Sequence, residues 1–221
     1  PDAIDLSVLT QLKSLQVLKF PRTAPLNDDH LASLAGFKSL VELQCFGTSG
    51  GLTDEGISQL KNNLQLEILS VWENQATGAF LRDYVHCPLQ SFTSTPLYNG
   101  KATFTDENAA VLSAFPQMTS LTLDGQDLLT ADTLGVIGQL SHLQRLGLDR
   151  CVGFADEDFV SLATLQRLQE LYLTETNAGD VAAAAIAEIP RIHSVHIGND
   201  RLTDRGVAEL SRAFSIRELK L

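Results

Sequence analysis

Leu143–Leu148 reads LQRLGL and Leu168–Leu173 reads LQELYL, with starts 25 residues apart. Both have the form apolar-x-x-apolar-x-apolar, whose closing alternation at a spacing of two belongs to a strand with one buried face. Seven more segments repeat it: LQVLKF from Leu15, LVELQC from Leu40, LEILSV from Leu66, LQSFTS from Leu89, MTSLTL from Met118, IHSVHI from Ile192 and IRELKL from Ile216. Successive starts are 25, 26, 23, 29, 25, 25, 24 and 24 residues apart. A period of this length running from end to end means one stacked array of similar units. The segment from Leu89 is the poorest match, because it ends in Ser94 where most of the others place an apolar residue.

A second element recurs between the strand segments: LTDEGISQL from Leu52, FTDENAAVL from Phe104, LTADTLGVI from Leu129, FADEDFVSL from Phe154 and LTDRGVAEL from Leu202. Thr or Asp stands where a helix N-cap is wanted, further acids fill the first turn, and apolar residues such as Ile57, Leu60 and Leu64 follow at helical spacing. Short strand and short helix therefore alternate about eight times. Each unit has too little apolar surface to stand alone, and stacking buries the leucines between neighbours.

The LxxLxL segments are followed three positions later by Thr23, Thr48, Asn74, Gln126, Cys151, Thr176 and Asp200, with Leu97 departing from the pattern. In this the chain resembles the leucine-rich repeat family over essentially its whole length. The L-T-D-x-G-[IV]-x-x-L helix start is similar to the cysteine-containing and ribonuclease-inhibitor-like subtypes. The resemblance implies an α/β, right-handed solenoid, a horseshoe or arc with a parallel sheet on its concave face and helices on its convex face. It implies a single domain, 1–221, of about eight to nine repeats. It also implies recognition of a protein partner on the concave face. Repeats of this kind occur in substrate-recognition arms of F-box proteins and in bacterial effector and planctomycete proteins, so a ubiquitin-ligase adapter arm and a secreted bacterial effector are the more specific readings.

Phase assigns the side chains. In LxxLxL the fourth and sixth positions face the core, and alternation sends the third, fifth and seventh to the concave surface. The third reads Val17, Glu42, Ile68, Ser91, Ser120, Arg145, Glu170, Ser194 and Glu218, and the fifth Lys19, Gln44, Ser70, Thr93, Thr122, Gly147, Tyr172, His196 and Lys220. The seventh reads Pro21, Phe46, Trp72, Thr95, Asp124, Asp149, Thr174 and Gly198. Two patches follow. Phe46, Ile68 and Trp72, with Gln44 and Glu73 around them, form an aromatic cluster that is either covered by a loop or flanking cap or displayed as an interface anchor. Asp124, Arg145, Asp149, Glu170, Tyr172 and His196, with Glu175, form a charged one, either a solvated polar face or a contact surface. The repeat from Leu89 carries extra residues in TPLYNGKAT, Thr95 to Thr103, which place Tyr98, Asn99 and Lys101 on a protruding turn, a third candidate contact or a drifting loop.

Composition narrows the function classes. The formal net charge is −11, but 12 of the 27 acids stand at helix starts, leaving 15 against 16 basic residues. Most of the acidity is thus structural, and no column supplies the basic stripe that nucleic acid requires. No apolar run is long enough for a membrane span, and no signal peptide is visible. GxGxxG, Walker, HExxH and GxSxG motifs are absent, the five histidines are scattered, and no His and acid are placed to activate a cysteine. The expectation is therefore no enzyme, no cofactor and no metal; an enzyme using Asp124, Asp149 and His196 is the contrasting reading, and it requires a bound metal or deep pocket there. Cys45, Cys87 and Cys151 have structural places in the repeat and no CxxC pairing, and the chain has no Asn-x-Ser/Thr sequon. This favours an intracellular or bacterial setting over a disulfide-rich extracellular one. The chain opens on the half repeat DLSVLTQLKS and stops at LKL without polar caps, so it is expected to be part of a longer protein.

Overall fold

An apolar-x-x-apolar-x-apolar segment buries its fourth and sixth side chains together only if the backbone there is extended and lies beside the same segment of the next repeat. The backbone is extended in all nine segments and within each unit they lie side by side, but Leu18 and Phe20 of the first are half-buried and Leu219 and Leu221 of the last are exposed. The computed structural model describes residues 6–47, 51–97, 102–198 and 201–221 and divides into two compact units, Pro1–Thr103 and Phe104–Leu221.

The first unit contains β1 (Val17–Lys19), β2 (Glu42–Phe46), β3 (Ile68–Asn74) and β4 (Ser91–Pro96), paired in parallel and in sequence order. Val17, Glu42, Ile68 and Ser91 are register partners, so the third position of each repeat forms one column. The opposite layer holds α1 (Asp28–Ser33), α2 (Asp54–Ser58) and 3-10 helices at Leu6–Gln11 and Ala79–Tyr84. In the second unit β5 (Ser120–Thr122), β6 (Arg145–Gly147), β7 (Glu170–Tyr172), β8 (Ser194–His196) and β9 (Glu218–Lys220) pair the same way. Their partners are α3 (Asp106–Ala109), α4 (Ala131–Ile137), α5 (Asp180–Ala187), α6 (Asp204–Leu210) and 3-10 helices at Ala110–Ala114 and Asp156–Thr164. The expected helices are thus short, and some are 3-10. Elements of four to nine residues have almost no intrinsic helical stability and take the geometry their packing dictates.

The core lies between the layers. Leu43, Leu69, Val71 and Phe92 meet Leu31, Ile57, Phe80 and Tyr84 in the first unit; Leu121, Leu146, Leu171 and Val195 meet Leu134, Phe159, Leu162 and Ile186 in the second, all buried. Each such side chain contributes about 1.5–3 kcal/mol. Ser94, the misfit of the fourth segment, is fully buried because Asn74 needs it: Asn74 Nδ2 donates to Ser94 Oγ (3.1 Å), Val71 O (2.8 Å) and Thr95 O (3.0 Å). The same ninth position holds Thr176, whose hydroxyl donates to Leu173 O (2.7 Å), and Cys151, whose thiol lies 3.0 Å from Leu123 O. Asn, Thr and Cys interchange there because each offers a donor to a buried backbone carbonyl.

The T-D-x-G signature has a more specific cause than the dipole of its own helix. Each leading Asp reaches into the next repeat. Asp28 accepts from Thr53 N–H (2.9 Å) and Thr53 Oγ1 (2.6 Å); Asp54 accepts from the N–H groups of Thr77 (2.8 Å) and Phe80 (3.1 Å). Asp106 holds Thr130 and Thr133, Asp156 holds Gly179, Val181 and Ala182, and Asp180 holds Thr203 and Gly206. One carboxylate therefore caps the following helix and ties two repeats together. Glycine at the fourth place makes room: a Cβ on Gly56 would lie 2.0 Å from Asp28 Oδ1, and one on Gly206 2.4 Å from Asp180 Oδ1. Where the staple is missing the whole signature changes. Ala131 stands in place of the Asp, and the next repeat has no Thr to be held; Ala155 N–H is capped instead by its own Asp158 (2.7 Å).

Candidate functional site

The strand face of the first unit carries the aromatic pair. Phe46 and Trp72 are register partners on β2 and β3, and the rings stack with centroids 4.7 Å apart and planes at 18°. That separation is the spacing of neighbouring strands, so the backbone itself sets the stack. Both rings are half-buried, as is Ile68 on the same column side. Trp72 also sits on an irregularity that a strict repeat does not reveal. Val71 pairs with Ser94 and Asn74 with Pro96, leaving one extra residue on β3 between them, and Glu73 has φ 54°. The bulge is seated on Gly47, where a Cβ would lie 2.3 Å from Glu73 O, and Gly47 N–H donates to Trp72 O (2.8 Å). The eighth position is left-handed again at Gly125, Arg150 and Glu175, so it is a turn geometry of the repeat. Charge rings the pair: Arg22 bonds Glu73, and Lys19 and Gln44 both bond Glu42, at 2.7 and 2.6 Å.

The second unit presents a polar face whose charges are largely matched to one another. Arg145 pairs with Glu170 (2.5 Å), and Glu170 accepts from Tyr172 Oη (2.9 Å). The Arg145 guanidinium lies 5.9 Å from the Tyr172 ring centroid, and Tyr172 meets His196 edge to face at 4.6 Å. His196 Nε2 stands 3.5 Å from Glu218, which also takes Lys220 (3.2 Å) and Ser194 Oγ (3.2 Å). Burial, and then the bonds and charges around Glu170, push the Tyr172 hydroxyl above its ordinary value.

Asp124 and Asp149 are engaged in backbone bonding. Asp124 Oδ1 accepts from Asp149 N–H (3.1 Å), and Asp149 Oδ1 from Thr174 N–H (2.6 Å), a ladder along the seventh position. Burial first, and the Asp149 charge second, push the Asp124 carboxyl up to about 6. His196 does not join them, since β8 is two strands from β6, roughly 9–10 Å at the strand spacing. Among the described residues no group of three or more His, Cys, Asp or Glu side chains is placed to hold a metal ion.

Of the expected contact residues, Phe46, Ile68 and Trp72 come together in one unit and Arg145, Glu170, Tyr172 and His196 in the other, while Asp124 and Asp149 form a separate ladder. Tyr98, Asn99 and Lys101 of the inserted turn lie outside the described residues. Three members of the surface columns are corrected, the first being Gly147, which is buried at the end of β6. Ser70 is 4% exposed, a short side chain between the larger Ile68 and Trp72 two residues either side, and Ser194 is 6% exposed beneath Glu218. The Trp72 bulge and the role of Glu218 as the hub of the polar face were not read from the sequence; the positive φ at the eighth position of four repeats leaves no compositional trace when the residue is Glu or Arg. Cys45, Cys87 and Cys151 are buried, and burial raises all three thiols, Cys45 and Cys151 to about 12. No described helix is long and apolar enough to cross a membrane.

No protein-family model matches the sequence, and no curated protein matches it. Among solved structures, an internalin, inlF, of Listeria monocytogenes is 16% identical with a TM-score of 0.65, covering 98% of this chain and 64% of its own. A chain of the Rad7 and Elc1 complex of yeast is 15% identical with a TM-score of 0.60, covering 94% of this chain and 63% of its own. The internalin inlC2 of Listeria monocytogenes is 18% identical with a TM-score of 0.54, over 86% and 83%. The chain thus spans less than two thirds of the first two. With its repeat register, parallel strand order and these likenesses, the chain folds as a leucine-rich-repeat solenoid.

Proposed function

We propose that the chain is a protein-recognition module that takes its partner on the strand face, with Phe46 and Trp72 as the apolar anchor and Ile68 beside them. The observation carrying this reading is the stacked pair itself: two large rings held half-exposed by strand register and a bulge, ringed by ion pairs. Aromatic anchors fixed before binding lose little entropy on docking, and such residues carry a disproportionate share of interface energy. Arg145, Glu170, Tyr172 and His196 in the second unit, with Asp124 and Asp149 nearby, act as polar contacts that select among partners. Tyr98 is a further contact in this reading.

The test compares capture of partners by wild type and by Trp72→Ala, with unfolding in urea followed by circular dichroism on both. Lost capture at unchanged midpoint supports the proposal. Retained capture refutes it, as does a loss of stability on the scale of a packed aromatic, about 3–5 kcal/mol.

A more specific reading is a substrate-recognition arm of a ubiquitin-ligase adapter, or a secreted bacterial effector. The resemblance of the T-D-x-G helix starts and of Cys151 at the ninth position to the cysteine-containing and ribonuclease-inhibitor-like subtypes supports this reading. A chain of similar fold belongs to the yeast Rad7 and Elc1 complex, and the internalins are from the bacterium Listeria monocytogenes. Co-purification of the full-length protein with an adapter subunit would separate the first form from the second.

A further inference from the structure

In the second unit arginine and histidine side chains gather where helices end and strands begin. His142, Arg167 and Arg191 precede the first apolar position of three successive repeats, all exposed. Gln169, His193 and Arg217 hold the second position of the last three. Backbone bonds from His193 N–H to Gln169 O (2.9 Å) and from Arg217 N–H to His193 O (2.8 Å) fix them as one row, about 4.8 Å per step. These three, with Arg191, Phe214 and Ser215, line a cavity of about 340 Å³.

Two features of this cavity call for a ligand. The ion pairs of the described residues in this unit engage Arg145, His196, Arg212 and Lys220, and leave Arg191 and Arg217 unpaired in a chain of net charge −11. Beside them Phe214 is 99% exposed. Its exposure is a property of its column: Pro116, Ser141, Gln166 and Pro190 hold the same place in earlier repeats and are exposed too, while the neighbouring Ala213 takes the buried place. The C-terminal ends of α5 and α6 favour cations within their last turn, but Arg191 and Arg217 stand four and seven residues beyond Ala187 and Leu210, so neither the arginines nor the bare ring is explained by the helices.

We propose that this cavity binds the phosphorylated aromatic side chain of a protein partner, a phosphotyrosyl group. Arg191 and Arg217 take the phosphate oxygens, Gln169, His193 and Ser215 supply further donors, and the ring lies against Phe214. A phosphate monoester carries nearly two negative charges and three strong acceptors, which suits two planar guanidinium forks better than a carboxylate does. The site shares no residue with the Phe46–Trp72 face. A cavity of about 240 Å³ in the first unit serves as the control: Lys13 and Lys38 line it, but its aromatic residue, Phe37, is buried.

The experiment titrates the whole chain with phenyl phosphate, inorganic phosphate and adenosine monophosphate, following the backbone amide resonances of His193, Ser215 and Arg217. Phenyl phosphate saturates with a dissociation constant on the order of 1 mM, and inorganic phosphate and the nucleotide bind at least about tenfold more weakly. Arg217→Gln weakens phenyl phosphate about tenfold. Phe214→Ala abolishes the preference for the aryl ester, and Lys13→Gln with Lys38→Gln changes nothing. A tyrosine-phosphorylated peptide then binds where its unphosphorylated form does not. Equal affinity for aryl and inorganic phosphate overturns the proposal, as does equal or tighter binding of the nucleotide, or the absence of saturable shifts.

Discussion

Gly56→Ala should destabilise the protein, against the sign expected for its place in the chain. Gly56 lies inside α2, and replacing a helical glycine with alanine ordinarily gains up to about 1 kcal/mol. Here the new Cβ would lie 2.0 Å from Asp28 Oδ1, displacing the carboxylate that accepts from Thr53 N–H and Thr53 Oγ1. Charge-assisted bonds contribute about 1.5–3 kcal/mol each, and Asp28 is only half-buried, so the lower value applies. Losing both outweighs the helical gain and leaves a net loss of about 2 kcal/mol. The partner variant is Asp28→Gly, which removes the carboxylate and also the Asp28 Cβ that would lie 2.7 Å from the new methyl; in that background Gly56→Ala should stabilise, giving a coupling of about 3 kcal/mol in the double-mutant cycle. Gly135, in α4, has nothing within 4 Å of its Cβ position, and Gly135→Ala should stabilise by about 0.5–1 kcal/mol. Urea unfolding followed by circular dichroism gives the midpoints, and the single tryptophan, Trp72, reports the first unit by fluorescence. A stabilising Gly56→Ala in the presence of Asp28, or an additive cycle, would refute the staple.

Asp124 should lower stability as pH rises. Its native carboxyl, at about 6, keeps a proton that the unfolded chain has already lost above about 4, so stability falls from about pH 4 to 6 and stays lower above. Asp124→Asn keeps an acceptor for Asp149 N–H and should be about 2 kcal/mol more stable than wild type at pH 7 but no more stable at pH 4; equal gains at both pH values would count against this. Glu175, exposed and at φ 58°, should give way to glycine with a gain of about 1 kcal/mol in urea unfolding, and a loss would show that the side chain is held there. Cys45 and Cys151, with thiols at about 12, should react with iodoacetamide at pH 8 only at the rate of unfolding, and rapid labelling of the native protein would contradict their burial.

The repeat was legible because stacking makes it so. Leu43, Leu69 and Leu121 answer to the same local demand, and a spacing of two followed by helical spacing identifies it in any single unit. The same phase placed Phe46 beside Trp72, since parallel register carries one column into the next. What the columns could not give was depth or pairing: Ser70 and Ser194 share columns with exposed residues yet are buried, because their neighbours overhang them.

The amino-acid sequence by itself determined the strand and helix alternation, the fold and the candidate aromatic pair, because those follow from periodicities within one repeat. Only the tertiary structure decided which residues hold neighbouring repeats together. That Asp28 answers Thr53 and Gly56, that Ser94 answers Asn74, and that Trp72 rides on a bulge seated at Gly47 are relations between residues about 20 to 28 positions apart. They exist only once stacking has brought those residues within hydrogen-bonding or van der Waals distance.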